Sequence, residues 1–347
     1  MKSKYCFDYC EGVENLIDST LAQIADDVRN GPAANDIAFL VLGGGYGRGE
    51  GGINFDNPSS PSLYNDLDFF VIAKTEESKK GLNSFFGGMS KKWTKIMGID
   101  VDFGPAQTCR YISDRLDMMM WREMVMAGNV VVGDKNMFDK IFKIKTREMP
   151  PSETAKLLLN RTYGLFLAGR KLCEPPRGAE DFDFIARNIN KSLLAAAESV
   201  LMSRGVFEFR TSDRFRALKE FDFKGDIPKD KFVAAYEAAA EFKRSPTRIT
   251  DMPALWTKYE CARDIVNISL AAVKGYIHSP EPFIKVLKNI KKNISLRKYF
   301  AKIGVKFNPA EDPVLPALNV FAANLESPCS LAEEKFSALK NIWKNIN

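Results

Sequence analysis

An apolar strand that runs into a cluster of glycines, followed at close range by an acidic strand, leaves this chain few folds to choose from. Residues Ile37 to Leu42 lead into Val41-Leu42-Gly43-Gly44-Gly45-Tyr46-Gly47-Arg48-Gly49-Glu50. About twenty residues later, Asn65-Asp66-Leu67-Asp68 heads a second apolar strand, Phe69 to Ala73. Residues two apart in a strand share a face, so Asp66 and Asp68 point the same way. Side-by-side carboxylates repel unless a cation sits between them, and hard oxygen ligands at this spacing suit magnesium or manganese with substrate phosphates completing the shell. Glycines without side chains let backbone N–H groups approach a phosphate. A third acidic stretch, Gly98-Ile99-Asp100-Val101-Asp102-Phe103-Gly104-Pro105, repeats the pairing about thirty residues beyond Asp68. Between them, Glu76 to Met97 reads as a helix.

The remaining chain sets bounds on this site. With 347 residues there is material for one large or two ordinary domains. The net charge of +6 suits an anionic small ligand but is no nucleic-acid footprint. Six scattered cysteines (Cys6, Cys10, Cys109, Cys173, Cys261 and Cys329) show no zinc spacing, and are expected to be free thiols in a reducing compartment. The N-terminal residues do not resemble a signal peptide, and no apolar run approaches the length of a membrane span. A cytoplasmic protein that does not enter a membrane is the expectation.

Helical periodicity covers residues 11 to 30 through Val13, Leu16, Ile17, Leu21, Ile24 and Val28, and Asn30-Gly31-Pro32 ends it. Residues Gly51 to Tyr64 carry glycines, prolines and little periodic apolar content, which predicts a mobile flap over the site. Gln107 to Ser113 reads as a further strand, Leu116 to Ala127 as a helix, and Gly128 to Asp134 as a short strand and turn. Asp134 has the placing of a helix cap. Met149-Pro150-Pro151-Ser152 marks a domain boundary, with 1–150 as one domain and 151–347 as a second. Beyond it, helices are expected near 152–172, 181–204, 208–222, 230–244, 251–278, 281–303 and 330–346.

Glycine turn, aspartate pair and later acidic strand follow the order found in nucleotidyltransferases of the DNA polymerase β superfamily, which residues 35 to 140 resemble. Gly44-Gly45-Tyr46-Gly47-Arg48-Gly49-Glu50 is similar to the turn of the PII-protein uridylyltransferases. This chain departs from those enzymes by the Gly51–Tyr64 insertion, and its single histidine, His278, cannot supply their histidine-aspartate hydrolase domain. The resemblance implies an α+β fold: a polymerase β-like head with a mixed sheet, then an all-α helical bundle that closes on nucleotide or substrate. It implies a nucleotidyltransferase that moves a nucleoside monophosphate from a nucleoside triphosphate such as ATP to an acceptor, releasing pyrophosphate.

Roles follow from the same resemblance. Asp66 and Asp68 would hold Mg2+ or Mn2+ jointly. Asp102 or Asp100 would be the third, catalytic carboxylate, with Asp102 preferred as the metal ligand. Gly44, Gly45 and Tyr46 belong to the nucleotide-binding turn, and Arg48 either braces the turn or meets a phosphate. Glu50 reads as the cap of the helix that follows the turn. Lys191, on the alanine-rich helix that includes Arg187 to Leu201 and is trailed by Arg214-Phe215-Arg216, resembles the lysine of helical bundles that accompany small nucleotidyltransferases and is a candidate for the triphosphate. The acceptor would be a small molecule or a protein side chain rather than nucleic acid, bound between the two domains. The alternative is a regulatory or interaction module whose site binds nucleotide without transferring it.

Overall fold

The computed structural model describes residues 2–55, 61–144, 149–175, 178–223, 228–247, 249–277, 290–308 and 312–346. It is an α+β protein with two compact units. One contains Met1–Arg147 together with Glu208–Asp213 and Glu241–Thr247, and the other holds the remainder. Two short stretches of the helical half therefore belong to the first unit, and no single cut in the sequence separates the two.

The first unit is built on a mixed sheet. Helix α1 (Glu11–Asn30) precedes strand β1 (Ile37–Leu42), a single helical turn α2 (Gly44–Gly47), the short strands β2 (Ile53–Asn54) and β3 (Ser62–Leu63), and β4 (Leu67–Ala73). Helix α3 (Ser78–Met97) crosses to β5 (Val101–Phe103), followed by β6 (Gln107–Thr108), α4 (Cys109–Ser113), α5 (Met119–Ala127), β7 (Asn129–Val132) and α6 (Lys135–Ile141). The strand order is β5-β4-β1-β7, with β6 continuing beside the far end of β4. β1 runs antiparallel to β4 and β7, whereas β5 and β6 lie parallel to β4.

Alternation along the strands decides which face each side chain takes. Leu40 and Leu42 of β1, Leu67, Phe69 and Val71 of β4, and Val101 of β5 are buried with α1 and α3. Phe39, Val41 and Ile72 face the opposite way, into a second cluster with Ile112, Trp121, Met124 and Phe138. Each such side chain taken out of water stabilises the fold by about 1.5–3 kcal/mol. Helix α1 contributes Val13, Ile17, Leu21, Ile24 and Val28, an i, i+4 stripe. Leu16, counted in that stripe from the sequence, lies 41% exposed. Helix α3 contributes Leu82, Phe86, Met89 and Trp93 and stops at Gly98, whose left-handed φ of 69° lets its N–H close on the Thr94 carbonyl. The Thr94 hydroxyl then accepts the Val101 N–H at 3.0 Å, so the helix end aims the chain into β5.

Two expectations are corrected here, and the capping role of Asp134 is met. Only Gln107 and Thr108 of the expected 107–113 strand pair with β4; Cys109 turns the chain into α4, capped by the Thr108 side chain. The described ends of the Gly51–Tyr64 insertion are not a loose flap. Ile53 and Leu63 are buried at 2% and 6% exposure and pair across β2 and β3. The centre of that segment, 56–60, lies outside the described residues. Asp134 caps α6, accepting the N–H groups of Asn136 and Met137.

The second unit is helical in its described residues: α7 (Pro151–Leu172), α8 (Ala179–Met202), most of α9 (Thr211–Glu220) and α10 (Lys229–Arg244), then α11 (Met252–Ile277), α12 (Ile290–Lys302), α13 (Val314–Asn324) and α14 (Glu333–Ile346). Residues 281–289 of the expected helix over 281–303 lie outside the described residues. Tyr163 stacks on Trp343, and the Tyr259 hydroxyl, inside the bundle, donates to the Leu325 carbonyl at 2.9 Å. Cys173 and Cys329 form a disulfide with their Cα atoms 5.5 Å apart. The expectation of six free thiols is thus overturned: the fold brings two cysteines 156 positions apart to the same place. No helix among the described residues is long and apolar enough to cross a membrane.

Candidate metal centre

The strand parity that turns Leu67, Phe69, Val101 and Phe103 to the core sends the residues between them to the other face. The parallel β4–β5 ladder pairs Asp68 with Asp102. Asp66 stands one residue before β4, with the same parity as Asp68. The outcome is a group of three carboxylates, Asp66, Asp68 and Asp102, each offering an oxygen within 4.8 Å of the others. Asp66 and Asp102 are exposed and Asp68 is half-buried, so the group opens to solvent. Asp100 shares the face by parity and is exposed, but it is not one of the three. Its carbonyl instead accepts the Leu67 N–H at 3.0 Å, aligning β5 on the start of β4.

The electrostatics of Asp102 reflect its acidic neighbours. Burial, then the charges of Asp100 and Asp66, raise the Asp102 carboxyl above its usual range. Three hard oxygens this close, with mutual repulsion raising the proton affinity of one, form a donor set that fits magnesium or manganese.

The glycine turn is seated against this group. Gly43 donates its N–H to the Asp68 carbonyl at 2.8 Å. Gly44 has a left-handed φ of 59°, and a Cβ there would lie 2.4 Å from Asp68 Oδ2. Only glycine meets both conditions. The amides of Gly44 and Gly45 open the first turn of α2, where a helix supplies no intrahelical partner.

Other residues singled out from sequence have different surroundings. The Tyr46 side chain is 1% exposed and turned into the core, so its ring does not face a ligand. The Arg48 guanidinium is held by Glu123 at 3.1 Å and lies 3.7 Å from Glu50, which makes it a brace of the turn. Lys191 is exposed on α8 in the second unit. Arg214, from the trailing Arg-x-Arg, is buried and pairs with Glu198 at 2.8 Å.

Glu50 does not cap the helix expected after the turn. It is 4% exposed, and it receives the backbone N–H and the hydroxyl of Thr211, the first residue of α9, as well as Lys243 Nζ at 3.0 Å. It thus caps a helix 161 residues further along, where its charge also suits the dipole. Burial alone would raise this carboxyl; Lys243, Arg48 and the Thr211 hydroxyl outweigh it and hold it below its ordinary value. Sequence reasoning missed Thr211 and Lys243, since nothing near either residue signals a partner so distant.

No protein-family model matches the chain, and no curated protein matches it.

Proposed function

We propose that this protein is a metal-dependent nucleotidyltransferase with a polymerase β-like head. In this reading it moves a nucleoside monophosphate from a nucleoside triphosphate to a hydroxyl or side-chain acceptor. One observation carries the reading: three carboxylates, two on adjacent parallel strands and one just ahead of them, converge beside a glycine turn whose Gly44 packs on one of them.

Asp66, Asp68 and Asp102 would hold Mg2+ or Mn2+. When bound, the metal supplies charge neutralisation and Lewis-acid polarisation at the transferring phosphate. The chain's own groups do the remaining work. The amides of Gly44 and Gly45, in the first turn of α2, would bind the distal phosphates, and Arg48 and Glu123 keep the turn in shape. A bond forms between the acceptor oxygen and the α-phosphorus as the bond to the leaving pyrophosphate breaks. The acceptor's proton passes to a carboxylate oxygen of Asp102. Charge developing on the phosphate and the leaving group is where such a site contributes most.

Pyrophosphate release with Mg2+, a nucleoside triphosphate and a panel of small-molecule and protein acceptors tests this. The expected result is enzyme-dependent release that Asp68→Asn abolishes, with the melting temperature of the variant no lower than that of the wild type. Nucleotide binding without pyrophosphate release from any acceptor, and without self-modification, would instead favour a binding module.

A further inference from the structure

We propose that Tyr46 is a positioning residue that sets the backbone ahead of Asp66 and so ties the glycine turn to the metal group; this rests on the metal-site reading above. Asp68 and Asp102 are fixed by the β4–β5 ladder, where they are register partners. Asp66 lies outside the strand and needs another anchor. The chain reaches it through Tyr64, the last residue of the Gly51–Tyr64 insertion, and Asn65.

Both of those residues are held by one oxygen. The Tyr46 hydroxyl accepts the N–H of Tyr64 at 3.0 Å and of Asn65 at 3.3 Å, and donates to the Gly52 carbonyl at 2.9 Å. A phenol offers one donor and two acceptor positions, and all three are used here. The Asn65 side chain closes the same knot by accepting the Gly52 N–H at 2.9 Å. The Tyr46 ring packs closely on Gly51: a Cβ there would come within 2.0 Å of Tyr46 Cδ1, so glycine alone admits the ring. Both stems of the insertion and the residue preceding Asp66 are therefore fastened to a side chain from the glycine turn. A shift of the turn moves Asp66, and with it the geometry of all three carboxylates.

The test is Mn2+ binding to the full chain, read from the free-ion electron paramagnetic resonance signal at a temperature where every variant is folded. Tyr46→Phe keeps the ring and removes the oxygen. Tyr259→Phe removes an equivalent buried hydroxyl in the other unit and serves as the control. The expected result is Mn2+ affinity about ten-fold weaker in Tyr46→Phe, a shift of about 1.4 kcal/mol. Tyr259→Phe should lose thermal stability and keep wild-type affinity. Asn65→Ala loosens the same knot by another route and should weaken Mn2+ binding in the same direction, which carries the test should Tyr46→Phe not fold. Wild-type affinity in either folded variant overturns the proposal while leaving the metal site standing. A wild-type chain that binds no Mn2+ overturns the metal-site reading and this proposal with it.

Discussion

Single residues carry the chemistry of this site, and two of them make it testable without knowing an acceptor. Gly44 combines a left-handed backbone with direct packing on Asp68. Gly44→Ala should cost about 1–3 kcal/mol in folding stability from backbone strain. It should also displace the Asp68 carboxylate, so that the cation-induced rise in melting temperature disappears; an unchanged rise would mean that the turn does not shape the site. Asp102 behaves differently. Its raised carboxyl means that the folded chain holds this proton more tightly than the unfolded chain does. Stability is therefore lost as pH rises through the window just above the ordinary aspartate value of about 3.9. Asp102→Asn removes that loss, so at neutral pH without divalent cations it should melt higher than wild type, and added Mn2+ should stabilise wild type only. A lower melting temperature in the cation-free variant would contradict this. The facing of Asp66, Asp68, Asp100 and Asp102 was legible in the sequence, because a period of two is a local property. The choice between Asp100 and Asp102 was not: it depends on the β4–β5 register, which is set by Leu67 bonding to Asp100 and by Asp68 opposing Asp102.

At the scale of elements, the glycine turn is held by charges from far along the chain. Glu50 is buried against Thr211 and Lys243, and its carboxyl is held low. Removing one partner of a buried ion pair leaves the other uncompensated, so Glu50→Ala should cost about 3–5 kcal/mol by denaturant unfolding. The double variant Glu50→Ala/Lys243→Met should cost less than the two single changes together; strict additivity would show that the pair is not coupled. Because the folded pKa is depressed, this stabilisation is present above the unfolded glutamate value of about 4.3 and is lost as pH falls through the lower folded value. Elements with a clean period, such as α1 and α3, were legible from sequence. Helix α13 was not, because Val314-Leu315-Pro316-Ala317-Leu318 is apolar on every side and holds a proline that the first turn tolerates. The β2–β3 pairing was hidden as well, since two-residue strands leave no periodic trace and owe their place to burial of Ile53 and Leu63.

On the scale of the whole molecule, the α+β class and the change to helices near residue 150 follow from patterns along the chain. The cysteine pairing does not, because it depends on the packing of distant segments. Cys173 and Cys329 close a loop across most of the helical unit. Reduction should lower stability by about 2–4 kcal/mol, read as a drop in the second unit's unfolding midpoint. Non-reducing peptide mapping that finds both thiols free would contradict the pairing. The central claim concerns the first unit, that Asp66, Asp68 and Asp102 form a metal-dependent nucleotide site. Calorimetric titration of a non-hydrolysable nucleoside triphosphate, with Mg2+ and again with chelator, tests it most directly. The account predicts nucleotide affinity at least about ten-fold tighter with Mg2+, a gain that Asp68→Asn abolishes. Equal affinity in the presence and absence of chelator, or a gain that survives in Asp68→Asn, would contradict it.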